Sequence, residues 1–138
     1  MDAEELMRTV AAGFERSDLR PLLAALHEDI VWRSASRVGG PFSFEGDYRH
    51  RTGVVEVLSN IARDYTFLSM TPREITAKGD TVWGLFDAVV RFDRKGTIAE
   101  PRTVALEIAI RWRLKDGKIA EHQAFFDTAY LLQQQSAP

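Results

Sequence analysis

Few side chains in this sequence can do chemistry, and their types narrow what that chemistry is. The 138 residues include three histidines and no cysteine, which removes disulfides, thiolate nucleophiles and sulfur-ligated zinc together. His27, His50 and His122 lack ligand spacing, so no metal site is expected. Gly39-Gly40-Pro41 leads into a loop and makes no phosphate cradle, so neither a nucleotide nor another cofactor is expected. His122, in the run Glu121-His122-Gln123-Ala124, carries an imidazole that can move a proton near neutral pH or hydrogen-bond a ligand carbonyl. It can equally be a histidine satisfied inside a packed core. Ser34 can polarise a ligand oxygen, but as a nucleophile it would need a base and an oxyanion hole. Trp32, Phe86 and Trp112 can sandwich a ring or simply fill the interior.

These residues need a scaffold, and the composition allows one. Hydrophobic residues make up 45% and charged residues 28%, a globular balance far from that of disordered chains. At ~150 residues per domain the length predicts a single domain with one core. Its span is read as residues 1–132, with 133–138 as a disordered tail. The 18 basic and 20 acidic residues are mixed along the chain for a net charge of −2. No basic stripe exists to neutralise phosphates or dock on an anionic bilayer, so neither nucleic acid nor a membrane is expected as a partner. The start, Met1-Asp-Ala-Glu-Glu, has no basic-then-apolar leader pattern, and no apolar run approaches ~18 residues. A cytoplasmic protein is expected.

Leu6, Met7, Val10, Ala11 and Phe14 fall at the one-face spacing of an amphipathic helix. Ser17 or Asp18 is placed to cap a second helix, with Pro21 near its first turn and Leu19, Leu22, Leu23 and Leu26 on its buried side. Ile30 to Ser36 reads as a short strand, followed by a long loop that holds Phe42, Phe44, Glu45, Asp47 and Tyr48. Val54, Val57, Leu58 and Ile61 keep helical spacing and predict a third helix ending near Tyr65. Beyond Tyr65 the pattern is strand, cut at Gly79-Asp80, at Asp93-Arg-Lys-Gly96 and at Asp116-Gly117, the last a strong hairpin signal. Asp127-Thr128 is placed to cap a short C-terminal helix through Leu132. Helices set apart from a long antiparallel meander predict an α+β domain whose curved sheet wraps its apolar face around them.

Four short phrases in this order carry a resemblance. They are Phe14-Glu-Arg-Ser-Asp-Leu, His27-Glu-Asp-Ile-Val-Trp, Ala77-Lys-Gly-Asp-Thr-Val, and Asp116-Gly-Lys-Ile-Ala-Glu-His followed by Phe126-Asp-Thr-Ala. Over nearly its whole length the chain resembles the SnoaL-like family of the nuclear transport factor 2-like, or ketosteroid isomerase-like, superfamily. The resemblance implies a cone: a strongly bent, mostly antiparallel sheet with three N-terminal helices packed in it, a pocket inside, and a convex face often used to dimerise. Function varies on this fold, so individual positions must decide.

The family's acids are gone. Aligned on the ketosteroid isomerases, Ser34 stands where their base would be, and Val10 and Ile110 stand where a Tyr and an Asp hold the enolate oxygen. Aligned on the limonene epoxide hydrolases, their Arg and two Asp fall on Phe86, Ala88 and Ala124, and their water-holding Tyr and Asn on Trp32 and Ser34. Polyketide cyclases of the family often end in Glu-His-Trp-Asp, and Glu121-His122-Gln123-Ala124 keeps the histidine and loses the aspartate. Strand parity in these alignments turns inward Ile30, Trp32 and Ser34; Gly84, Phe86, Ala88 and Val90; Ile108, Ile110 and Trp112; and Ala120, His122, Ala124 and Phe126. The implied function is binding of a small hydrophobic, ring-containing molecule, with isomerase, cyclase or dehydratase chemistry as an option. His122 is the candidate catalytic residue or anchor. Trp32, Ser34, Tyr48, Phe86, Ala88, Ile110, Trp112, Ala124 and Phe126 are the candidate ligand contacts. Glu45 or Asp47 would restore an acid if the long loop swung inward. On the other side, Trp83, Leu85, Asp87, Arg111 and Phe125 mix apolar and charged groups and are expected to form a homodimer surface. A non-catalytic association module built on that surface is the alternative.

Overall fold

The computed structural model describes residues 1–36, 38–94 and 100–136. Asp2 caps the first helix, α1 (Ala3–Glu15), by accepting from the Glu5 amide at 2.8 Å, and the apolar stripe buries Met7, Val10 and Ala11. The turn out of α1 folds back so tightly that any side chain at Gly13 would collide with the Asp18 carbonyl. The second helix, α2 (Arg20–Ala25), has no side-chain cap. Asp18 instead holds Arg20 through its amide and guanidinium, and Ser17 sits at φ +55°, so neither residue caps the helix as the sequence suggests.

The first strand, β1 (Leu26–Ser34), leaves α2 directly, four residues earlier than its hydrophobic pattern indicates. A strand hidden in the expected loop, β2 (Gly46–Arg49), pairs antiparallel with β1. After α3 (His50–Asp64) come four long strands, β3 (Tyr65–Lys78), β4 (Thr81–Phe92), β5 (Arg102–Lys115) and β6 (Lys118–Phe125). They form one sheet in the order β2-β1-β6-β5-β4-β3, in which only the β1–β6 pair is parallel. This is the α+β cone expected from the sequence. The β5–β6 hairpin turns on Asp116 and Gly117, both at positive φ, as a two-residue primed turn requires. Of the Asp93–Gly96 break, Lys95 and Gly96 lie outside the described residues.

Curvature has visible causes. In β3 the register with β4 shifts at Leu68 and again at Arg73, and such bulges bend and twist a strand. The Glu15 carboxylate of α1 accepts from the Met70 amide at 2.6 Å, just past the first bulge, so helix and bent edge strand are tied together. Gly84 lets the helix lie close: a Cβ there would sit 2.5 Å from Met7 Sδ and 2.6 Å from the Phe86 ring. A third shift, between β5 and β6, puts Ile119 opposite Leu114 and Glu121 opposite Arg113. That irregularity corrects the parity read from the sequence. Ile119 is fully buried, whereas Ala120 is only partly so.

The last helix, α4 (Thr128–Ser136), is capped by Asp127, which accepts from the Tyr130 amide at 2.9 Å. It runs past Leu132, so residues 133–136 are helical where the sequence suggests disorder. Gln135 accepts a hydrogen bond from the buried Tyr65 hydroxyl, which anchors the added turn. Ala137 and Pro138 lie outside the described residues. No helix among the described residues is long and apolar enough to cross a membrane.

Candidate functional site

The concave side of the sheet and the helices line a cavity of about 100 Å³. Helix α1 contributes Met7, Val10, Ala11 and Phe14, α2 contributes Leu22, and α3 contributes Ile61. The sheet supplies Trp32 and Ser34 from β1, Tyr65, Phe67 and Met70 from β3, Phe86 and Val90 from β4, Leu106, Ile108, Ile110 and Trp112 from β5, and His122 and Ala124 from β6. Phe44, Phe126 and Leu131 complete the lining. Phe42, Phe44, Tyr65, Phe92 and Phe126 form a chain of ring contacts with centroids 5.2–6.0 Å apart, an aromatic plug at one end of the cone. The Tyr65 phenol is pushed up, chiefly by burial, so its hydroxyl stays protonated and bound to Gln135.

Most expected contacts reach this cavity: Trp32, Ser34, Phe86, Ile110, Trp112, His122, Ala124 and Phe126 line it. Tyr48 does not. Its hydroxyl donates to the Glu45 and Ser43 carbonyls at 3.1 and 3.3 Å, which staples the loop shut, and Phe44 from that loop occupies the wall instead. Ala88 is buried but also does not line the cavity. Its register neighbours Met70 and Leu106 do, because their longer side chains reach where a methyl stops. Glu45 and Asp47 restore no acid. Glu45 accepts from the Phe42 amide at 3.2 Å, and Asp47 pairs with Arg49 and Arg33 at 3.2 and 3.5 Å. Among the described residues the lining holds no carboxylate, lysine or arginine, and no group of His, Asp or Glu could hold a metal ion.

The polar atoms gather on one wall. Trp32, His122 and Trp112 are register neighbours across β1, β6 and β5. The His122 imidazole stacks on the Trp32 indole, centroids 3.5 Å apart and planes 8° from parallel. The Trp112 indole N–H donates to His122 Nδ1 at 3.1 Å. An indole nitrogen can only donate, so Nδ1 must be the acceptor and the proton of the neutral ring sits on Nε2. Burial holds the His122 pKa down to about 3, because a buried imidazolium with no carboxylate beside it cannot recover its lost hydration. His122 is therefore a neutral ring of one tautomer. Its Nε2–H and the Ser34 hydroxyl have no partner among the described residues, and both residues line the cavity. The Trp32 indole N–H is buried and has no acceptor among the described residues.

The loop that carries Phe44 is held from below. Ser43 Oγ donates to the buried Asp64 carboxylate at 2.6 Å, and Asn60 Nδ2 donates to the Ser43 carbonyl at 2.9 Å. The Arg63 guanidinium on Asp64 holds that carboxyl below its usual range, so the clamp stays ionised. Sequence reasoning missed this clamp and the helix side of the cavity. The helix side was available: Met7, Val10, Ala11 and Phe14 are the α1 stripe, and a stripe facing a concave sheet must form the opposite wall.

The fold has many solved relatives. A nuclear transport factor 2-like protein of unknown function from Burkholderia pseudomallei is 21% identical, with 99% of this chain and 100% of that chain covered and a TM-score of 0.78. TerC, crystallised with polyporic acid, is 24% identical over 94% of this chain and 95% of that one, with a TM-score of 0.76. A candidate polyketide cyclase from Pseudomonas putida is 20% identical over 97% and 98%, with a TM-score of 0.76. No curated protein matches the chain by sequence. The family model for the SnoaL-like domain matches residues 7–122, across α1, the cavity walls and the His122 wall, and the chain belongs to the SnoaL-like domain family.

Proposed function

We propose that the protein binds a small, ring-containing hydrophobic molecule inside the cone. The observation that carries this reading is the apolar cavity in the cone, with His122 and Ser34 as the polar side chains on one wall. Small-molecule sites combine apolar walls with a few orienting polar groups in this way. At about 100 Å³ the space is of the same order as the ~150 Å³ dry cavity that takes up benzene. Crystallisation of TerC with polyporic acid and the candidate polyketide cyclases among the structural relatives support the same direction. The role assigned to His122 is that of anchor. Its one lone pair is held by Trp112, which leaves it no free site to accept a substrate proton. The test is a crystal structure of protein purified from its native host. Ring-shaped density beside His122 and Trp112 is the expected result, whereas a dry cavity with all three rings unmoved overturns the reading.

A second reading concerns the opposite face. Trp83 and Phe125 are 44% and 45% exposed and stack on each other with centroids 6.2 Å apart. Leu85, in the same strand as Trp83, is half-buried. Large exposed aromatics of this kind favour contact with a second copy, and the proposed homodimer uses Trp83, Leu85, Asp87, Arg111 and Phe125. Leu85→Arg should yield a monomer by light scattering, and an unchanged dimer mass would remove that face from the interface.

A further inference from the structure

One part of the cavity wall is built to move. Past the Trp112 row the cone is filled by Leu26 and Ile119, 1% and 0% exposed, so that end is solid. At the plugged end Tyr65 begins β3, Leu131 belongs to α4, and Phe126 lies in the junction between β6 and α4. None of the three can leave the wall without displacing a strand or a helix. Phe44 differs, because residues 38–45 belong to no helix or strand. Glycines at positive φ bracket the part that carries it, Gly39 at +84° and Gly46 at +124°. Glycine passes between such angles and ordinary ones without a steric penalty, as a hinge requires. Between the two glycines the segment is folded on itself. The Glu45 carboxylate accepts from the Phe42 amide, and the Glu45 amide donates to the Phe42 carbonyl, both at 3.2 Å. That carboxylate also packs against Gly40 so closely that a side chain there would collide with it.

We propose that residues 40–45 are the gate of the cone, swinging as one body on Gly39 and Gly46 and lifting Phe44 out of the cavity wall. For what passes through it, the gate rests on the ring-binding reading above. Ser43 is its latch. Its hydroxyl donates to the Asp64 carboxylate at 2.6 Å, and its carbonyl accepts from Asn60 Nδ2 at 2.9 Å and from the Tyr48 hydroxyl at 3.3 Å. The receiving side is fixed: Asp64 is 4% exposed at the end of α3, with the Arg63 guanidinium at 2.9 Å and that of Arg94 at 3.7 Å. Phe42 and Phe44 stack on each other, centroids 5.2 Å apart, and both are buried. Closing the gate therefore removes two rings from water, which makes the open form the minor one.

The test is hydrogen–deuterium exchange of the whole protein, followed by NMR at three places. The Gly46 amide donates to the Ser36 carbonyl at 2.9 Å and reports the hinge. Trp112 is 1% exposed and lines the cavity, so its indole N–H reports water admitted there. Amides in the middle of β4 report global unfolding. Exchange at each site gives the population of the form that exposes it. Gly46 and the Trp112 indole are expected to share one open population, larger than that of the β4 amides. Low urea should leave it unchanged, because swinging a short segment exposes little surface. Ser43→Ala removes a hydrogen bond to a charged group and should raise that population about tenfold, and Asn60→Ala, which removes a neutral one, about threefold. If the Trp112 indole exchanges only with the β4 amides and with their urea dependence, the cavity opens by global unfolding and the gate is overturned. Faster exchange at Gly46 alone in Ser43→Ala, or at neither site, overturns it too. None of these outcomes bears on whether a ring occupies the cavity, which ligand density decides, so the two readings fail separately.

Discussion

The two faces of the sheet can be compared one row at a time. Across β2, β1, β6, β5 and β4 one inner row reads Tyr48, Trp32, His122, Trp112, Val82, and the adjacent outer row reads Asp47, Arg33, Gln123, Arg111, Trp83. The same strands in the same register, one residue apart, build a neutral stacked-ring wall on one side and a charged band on the other. Alternation of period two does this without any change of backbone. Solvent separates them in kind. The inner histidine loses its charge because nothing compensates its desolvation, while Arg33 on the outer row pairs with Asp47 at 3.5 Å. Even so the outer row is not fully open: Gln123 is buried, and Arg33 Nε is buried with no hydrogen-bond partner among the described residues.

The comparison is sharpened most by removing an indole from each face. Trp112 is almost wholly buried and holds His122 in its tautomer. Trp112→Ala should cost about 3–5 kcal/mol in urea unfolding, the range for large-to-alanine changes in a core. Trp83→Ala should cost under ~1 kcal/mol, as for surface changes. If Trp83→Ala costs as much as Trp112→Ala, the outer face is not a solvent face, and a partner copy buries it.

Next in size is a pH effect that belongs to the inner face. His122 has a folded pKa of about 3 against an ordinary value of 6.5. Below 6.5 the unfolded chain takes up a proton that the folded chain refuses, so stability falls as pH falls, and continues to fall until about pH 3. The slope is at most about 1.4 kcal/mol per pH unit. His122→Gln keeps an acceptor for Trp112 but has nothing to titrate. Between pH 6.5 and 5 the unaltered protein should lose about 2 kcal/mol more than this variant, measured by urea midpoints across the range. Equal losses would mean that His122 is solvated and that the inner wall is wetter than its geometry indicates.

What could be read from sequence follows the same division between regular and irregular backbone. Wherever alternation is unbroken, as from Val104 to Trp112, inward and outward positions follow directly. At the β6 bulge, parity slips, which is why Ile119 is the buried residue and Ala120 is not. Strand β2 was hidden because four residues, Gly46–Arg49, carry too little pattern to announce a strand. The helical tail was hidden because Gln133, Gln134 and Gln135 have no apolar face, and only the Tyr65 hydroxyl shows what anchors them. The loop misled for a further reason. Tyr48 has the better side chain for a ligand, but two backbone carbonyls nearer in sequence claim its hydroxyl. Which loop residue reaches the cavity depends on those local bonds, and no spacing rule reports them.

The smallest expected effect lies wholly on the outer face. Asp87 and Glu107 are paired directly across β4 and β5, a placement in which like charges repel. Arg73, thrown out of line by the β3 bulge, reaches both carboxylates. All three side chains are about half exposed, so solvent and salt screen the arrangement. Arg73→Ala should lower the melting temperature slightly in dilute buffer and by nothing measurable near ~1 M salt. Adding Asp87→Asn to Arg73→Ala removes the repulsion that the arginine relieved, and stability at low salt should return. If the double variant stays as unstable as the single one, Arg73 acts through packing of its stem at the bulge. The outer face would then owe its order to the same close contacts as the inner one, and not to its charges.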